Sequence, residues 1–158
     1  MGKPIILMGI GQSLRGDDAA GLKAVHLWEE RYPEMIPVVQ VETCELPGLH
    51  LLDILNDFQT AILVDAVKSG STPGTIHLLN RKELAGFTQS SGSTHGWGIA
   101  ETLSLGAQIN SHTLPEKLII IGIEAGQIAI GTGFGVEVEQ AVNEVTRLIQ
   151  KTIQNLIS

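Results

Sequence analysis

Residues 4–10 form an unbroken apolar run closed by glycine. No polar side chain alternates through it, so it predicts a strand buried on both faces, as in a parallel sheet. Residues 11–18 are a polar, glycine-containing loop. Leu22, Val25 and Trp28 then recur at helical spacing, with Glu29, Glu30 and Arg31 on other faces. Asp17 or Asp18 is the expected N-cap of that helix, and Pro33 and Pro37 bracket its end. Residues 38–43 predict a second strand, 46–48 a turn and 49–56 a short helix. Residues 60–64 predict a third buried strand, ending at Asp65. Gly70, Pro73 and Gly74 punctuate a turn, after which 75–79 predicts an extra strand, expected antiparallel. Polar and small residues over 80–95 read as a long loop. Ile99, Leu103 and Ile109 predict a helix over 96–110. Residues 118–123 are the most hydrophobic strand and are expected at the sheet centre, with 128–130 as an edge strand. The last helix, 136–157, carries Val138, Ala141, Val142, Val145, Leu148, Ile149, Thr152, Ile153 and Leu156 on one stripe.

Strands alternating with helices predict an α/β fold: a mostly parallel sheet with helices on both faces. A chain of 158 residues without linker, repeat or low-complexity segment predicts one domain, 1–158. With 43% apolar and 17% charged residues the balance is globular. The net charge of −7 argues against a nucleic-acid or anionic-membrane partner, because phosphate binding needs clustered Lys and Arg. Cys44 is the only cysteine, which excludes an intramolecular disulfide and a multi-cysteine metal site. The first apolar run is short and lacks a small-residue cleavage site, so it reads as a strand and not a leader. No apolar run reaches the roughly 20 residues of a membrane span. The expected location is the cytoplasm.

In an open parallel sheet, ligands bind beyond the carboxyl ends of the strands. Asp17 and Asp18 follow the first strand, Cys44 and Glu45 the second, and Asp65 the third, while His95 precedes the third helix. Two carboxylates and an imidazole could hold a divalent ion of the zinc or nickel type with one position open. Without metal they could act as general base and acid. Asp18 could be only a cap, Asp17 a cap or a solvated loop residue, and His95 a surface histidine. Asp65 ends a buried strand, where a carboxylate is costly unless paired or coordinated. His26, His50, His77 and His112 lack clustered partners and read as structural or exposed. Cys44 reads as a small buried hydrophobe rather than a nucleophile. Gly9 and Gly11 open like a dinucleotide fingerprint, with Glu42 as a ribose-binding acid. Leu14 stands where the third glycine belongs, and Asp17 and Asp18 would repel a pyrophosphate. A nucleotide-binding α/β module using this loop is the alternative reading.

Four segments in series resemble the hydrogenase maturation protease family. Gly9, Gly11, Asp17, Asp18 and Gly21 are similar to its opening motif. Asp65 and Ala66, followed by Gly70, Pro73 and Gly74, are similar to its central segment. Ser93 and His95 match its Ser-x-His element, and Ile121, Gly122, Ile123 and Glu124 its late strand. The resemblance implies a three-layer α/β/α sandwich with a twisted sheet, of the phosphorylase/hydrolase type. It implies an endopeptidase that removes the C-terminal extension of a nickel-iron hydrogenase large-subunit precursor after nickel insertion. Its metal-binding residues carry over to Asp18, Asp65 and His95, the expected catalytic and metal-site residues. The implied ligand is nickel, supplied by the substrate, and the implied partner is the precursor. Gln12 replaces the usual Asn, Ala125 a frequent Pro, and the stretch 43–45 lacks the usual glycines. The polar loop 80–94 could gate the substrate tail or be plain solvated chain.

Overall fold

The computed structural model describes residues 4–11, 16–45, 49–83, 92–93, 103, 114–126 and 133–158. The first apolar run is strand β1 (Ile5–Ile10), buried at every position. Helix α1 (Ala20–Arg31) follows a 3-10 turn, Gly16–Ala19, and leads to β2 (Val39–Cys44). Then come α2 (Leu49–Leu55), β3 (Thr60–Lys68), β4 (Ile76–Asn80), the short β5 (Gly92–Ser93), β6 (Lys117–Glu124) and α3 (Val136–Ile157). The expected helix over 96–110 and edge strand over 128–130 lie outside the described residues, apart from a helical Leu103.

The sheet order is β2-β1-β3-β6-β4, with β5 paired to β3. β1 runs parallel to β2 and β3, and β3 parallel to β6. β4 is antiparallel to β6, as the sequence suggested, and β5 is antiparallel to β3. Two expectations need correction. The middle strand is β3, with the more hydrophobic β6 beside it as an interior strand between β3 and β4. And Asp65 does not end its strand: β3 continues to Lys68, held by Ser93 opposite Val67 and by β6 up to Glu124.

Period-two alternation sends each strand's side chains to two cores. Leu7, Ile62, Val64, Ile121 and Ile123 face α1 and α3, meeting Trp28, Val145 and Ile149. Met8, Ile10, Leu63 and Ile120 face α2, meeting Leu51 and Leu55, with Leu103 and Cys44 in the same cluster. Cys44 is therefore the buried small hydrophobe expected of it. Helices cover both faces, which makes the three layers. The stripe on α3 is buried at Val138, Ala141, Val142, Val145, Ile149 and Ile153. Trp28 buries its ring between α1 and α3 and satisfies its indole N–H on Gln150 at 2.9 Å. Among the described residues no helix is long and apolar enough to cross a membrane.

Candidate functional site

The connection through α1 covers one face of the sheet and the connection through α2 the other. The chain leaves β1 for β2 on one side and returns to β3 on the other, so the topology switches between β1 and β3. A crevice forms beyond the carboxyl ends of two strands at such a switch. Asp18 stands in the turn after β1, and Asp65 lies on β3, the two strands that bound the switch. Asp18 belongs to the 3-10 turn, whose backbone presses on the residue after β1: a Cβ on Gly11 would lie 2.2 Å from the Asp18 carbonyl oxygen. Asp65 lies one register step past the Gly9–Val64 pair that joins β1 to β3. It shares the α2-facing side of β3 with Leu63 by alternation.

Both carboxylates are withdrawn from solvent, Asp18 at 0% and Asp65 at 1% exposure. Burying two anions at one edge is costly unless donors or a cation offset it. Oxygen donors of this type suit a divalent ion. The third expected donor, His95, lies outside the described residues. Among the described residues no three His, Cys, Asp or Glu side chains gather as a metal site.

The capping expectation is wrong for both aspartates. The N-cap of α1 is Ala19, with no side-chain cap bond. Gly16, at φ 53, turns the chain into the 3-10 turn first and so places Asp17 and Asp18 ahead of the helix. Nor is Asp17 solvated. It is 1% exposed and accepts the backbone N–H of Gly126 at 2.7 Å and of Gly135 at 3.0 Å. The close-packed glycines of this loop meet the chain's own backbone. Gly9 faces the carbonyl of Gly21, and Gly11 that of Asp18. That packing accounts for the glycine spacing without a nucleotide.

A second cluster escaped the sequence reading. Glu124, 1% exposed, accepts the backbone N–H of Ser69 at 2.8 Å and also the Ser69 hydroxyl. His77 Nε2 lies 3.1 Å from the same carboxylate. His77 is thus not partnerless. The antiparallel register sets it opposite Gly122, two residues before Glu124 on the same face of β6. A histidine at period two on an edge strand, beside a glutamate closing an apolar strand, is the signal that would have revealed it. The arrangement is not a nucleophile relay. Ser69 gives its proton to Glu124, and both oxygens meet one imidazole nitrogen.

Burial decides what this cluster contributes. His26 and Glu30 are also 3.1 Å apart, but both side chains are more than half exposed. Glu124→Ala leaves the half-buried Ser69 amide without its acceptor and empties a buried position, and is expected to cost about 1–3 kcal/mol. Glu30→Ala breaks a solvated pair and should cost about 0–1 kcal/mol. Thermal unfolding of the two variants, side by side, measures the difference. Equal midpoints would mean that Glu124 does not hold the turn after β3.

A family model described as hydrogenase maturation protease matches residues 30–153. The hydrogenase expression/formation protein HupD of Rhizobium leguminosarum bv. viciae is 32% identical over 121 residues, covering 76% of this chain and 58% of that protein. The hydrogenase 2 maturation protease of Escherichia coli (strain K12) is 28% identical over 155 residues, covering 94% of this chain and 92% of that protein. The chain spans 58–59% of the length of the first curated relatives it matches. The solution structure of an endopeptidase from Escherichia coli is similar with a TM-score of 0.80 at 25% identity, covering 96% of this chain and 92% of that one. The hydrogenase maturating endopeptidase HybD from E. coli gives 0.81 at 22% identity over the same shares of each chain, a likeness of fold.

Proposed function

We propose a function from one premise: this chain belongs to the hydrogenase maturation protease family. It is an endopeptidase that removes the C-terminal extension of a nickel-iron hydrogenase large-subunit precursor once nickel is inserted. The observation that carries this reading, within that family, is the pair of buried carboxylates in the turn after β1 and on β3, the strands that bound the switch point.

Asp18, Asp65 and His95 form the site. Ser93, two residues before His95 in the chain, pairs with Val67, two residues after Asp65 in β3. Because that pairing is antiparallel, the step from Gly92 to Ser93 runs toward Asp65. The nickel arrives as part of the substrate. Carboxylate oxygens and an imidazole nitrogen suit it, and a dication offsets the cost of burying two anions. Bound there, the ion would supply Lewis-acid polarisation of the scissile carbonyl. Asp18 and Asp65 hold the loaded precursor in register with the crevice, and His95 supplies the imidazole nitrogen of the same ligand set. The reading carries with it the single-domain organisation and the cytoplasmic setting expected of the sequence.

Incubation with nickel-loaded large-subunit precursors, followed by mass spectrometry, tests it. One precursor should lose a C-terminal peptide of discrete mass in a single cut. A panel of precursors that all stay intact overturns the assignment.

A further inference from the structure

We propose that Asp17 is a positioning residue: its carboxylate is the strut that fixes Asp18 relative to Asp65. The inference rests on the site proposed above and adds to it a residue that touches neither ion nor substrate.

Asp17 precedes Asp18 in the 3-10 turn. Its two oxygens do not serve α1; they reach across the fold. Oδ2 accepts from Gly126, two residues past β6, and Oδ1 accepts from Gly135, the N-cap of α3. Both are charge-assisted bonds to backbone amides, stronger and shorter than neutral ones. The second also sets an anion at the positive end of a 22-residue helix, a favourable place for it.

The backbone of Gly126 is held through its other polar group as well. Its carbonyl accepts Lys68 Nζ at 3.2 Å, and Lys68 closes the strand that carries Asp65. One chain of contacts therefore runs from the Asp17 carboxylate, through the backbone of Gly126, to Lys68. It joins the turn holding Asp18 to the strand holding Asp65. The fit is close: a Cβ on Gly126 would lie 3.3 Å from Asp17 Oδ2 and 3.2 Å from the Pro73 ring. On its opposite side the turn is pressed against Gly11. Held from two directions, the turn gives Asp18 one placement. Site geometry of this kind must hold to within about 0.5 Å, which a supporting shell achieves.

Asp17→Asn is the test, because it keeps the volume and removes one of the two acceptors. Its amide cannot accept from both Gly126 and Gly135. Zinc is titrated calorimetrically into the precursor-free protein, and cleavage of nickel-loaded precursor is followed at a temperature where the variant is folded. Wild-type protein should bind zinc, and Asp18→Ala should lose that binding. Asp17→Asn should weaken zinc by about ten- to a hundredfold, as loss of a supporting partner does. It should lower kcat and also raise KM for the nickel-loaded precursor, since the ion it holds less tightly is part of that substrate. Wild-type zinc affinity and kcat in folded Asp17→Asn overturn the strut while leaving the site standing. Wild-type zinc affinity in Asp18→Ala overturns the site itself, and a wild-type protein that takes up no zinc overturns the preformed geometry that the strut maintains. If Asp17→Asn does not fold, Lys68→Met replaces it at an exposed position. Undiminished zinc affinity there overturns the proposal.

Discussion

Asp18→Asn and Asp65→Asn are each expected to lower precursor cleavage by more than about a hundredfold while the protein stays folded. Loss of a residue that merely orients a metal ligand costs about ten- to a hundredfold. Loss of the ligand's charge should cost at least the upper end of that range. Asparagine keeps the shape and an acceptor oxygen, so the packing at these buried positions is preserved. It removes the anion, which at 0% and 1% exposure is the costly component of either side chain. The unfolding midpoint should therefore shift by no more than a few degrees, since 1 kcal/mol moves a domain of this size by about 2–4 °C. Far-UV circular dichroism, a thermal melt and the cleavage assay on the same preparations decide it. Normal cleavage in both variants removes these residues from the site. Cleavage lost only in step with unfolding makes them parts of the fold.

The two aspartates were legible because each follows an apolar run in a chain whose strands alternate with helices, and that topology brings such runs together, even though β3 itself continues past Asp65 to Lys68. The partners of Asp17 were not legible. Gly126 and Gly135 are 109 and 118 residues away, and a backbone amide carries no signature in the side-chain pattern. Periodicity sees Asp17 only as a polar residue before a helix, which is the description of a cap. His77 was hidden for a related reason. Its partner Glu124 is 47 residues distant, and the pairing depends on the register of β4 against β6. Sequence pattern predicts that such a strand exists but not which residue lies opposite which. The order of strands suffered similarly. Hydrophobicity ranked 118–123 as central, yet β3 holds the middle of the order and is the more completely buried, with β6 next to it and nearer the β4 edge. Apolar content measures how deeply a strand can be buried, and topology decides how deeply it is.

A large loss of stability from a small change is expected at Gly21. Helix propensity alone predicts the opposite result. Alanine in a helix is favoured over glycine by about 0.8–1 kcal/mol, so Gly21→Ala in the first turn of α1 should stabilise. The packing reverses the sign. A Cβ at this position would lie 2.3 Å from the Val64 carbonyl oxygen and 2.8 Å from that of Ile10. Both neighbours are backbone atoms, one at the end of β1 and one within β3, so no side chain can rotate away. Either α1 lifts from the sheet or the strands part. Overpacking in a tight interior costs about 1–3 kcal/mol and more where nothing can yield. Gly21→Ala is therefore expected to lower the midpoint by about 6–12 °C, taking about 3 kcal/mol and about 2–4 °C for each. Gly133→Ala is the control, because nothing lies within 4 Å of a Cβ there. Its midpoint should stay within about 2 °C of wild type, as for a surface change of less than about 0.5 kcal/mol. The same displacement reaches the site. α1 starts at Ala20, two residues after Asp18, so a helix pushed off the sheet carries the 3-10 turn with it. Cleavage by Gly21→Ala, measured well below its midpoint, should fall as well, while Gly133→Ala cleaves normally. A midpoint raised by Gly21→Ala would mean that α1 does not approach the strands this closely, and that propensity, not packing, rules at the start of the helix.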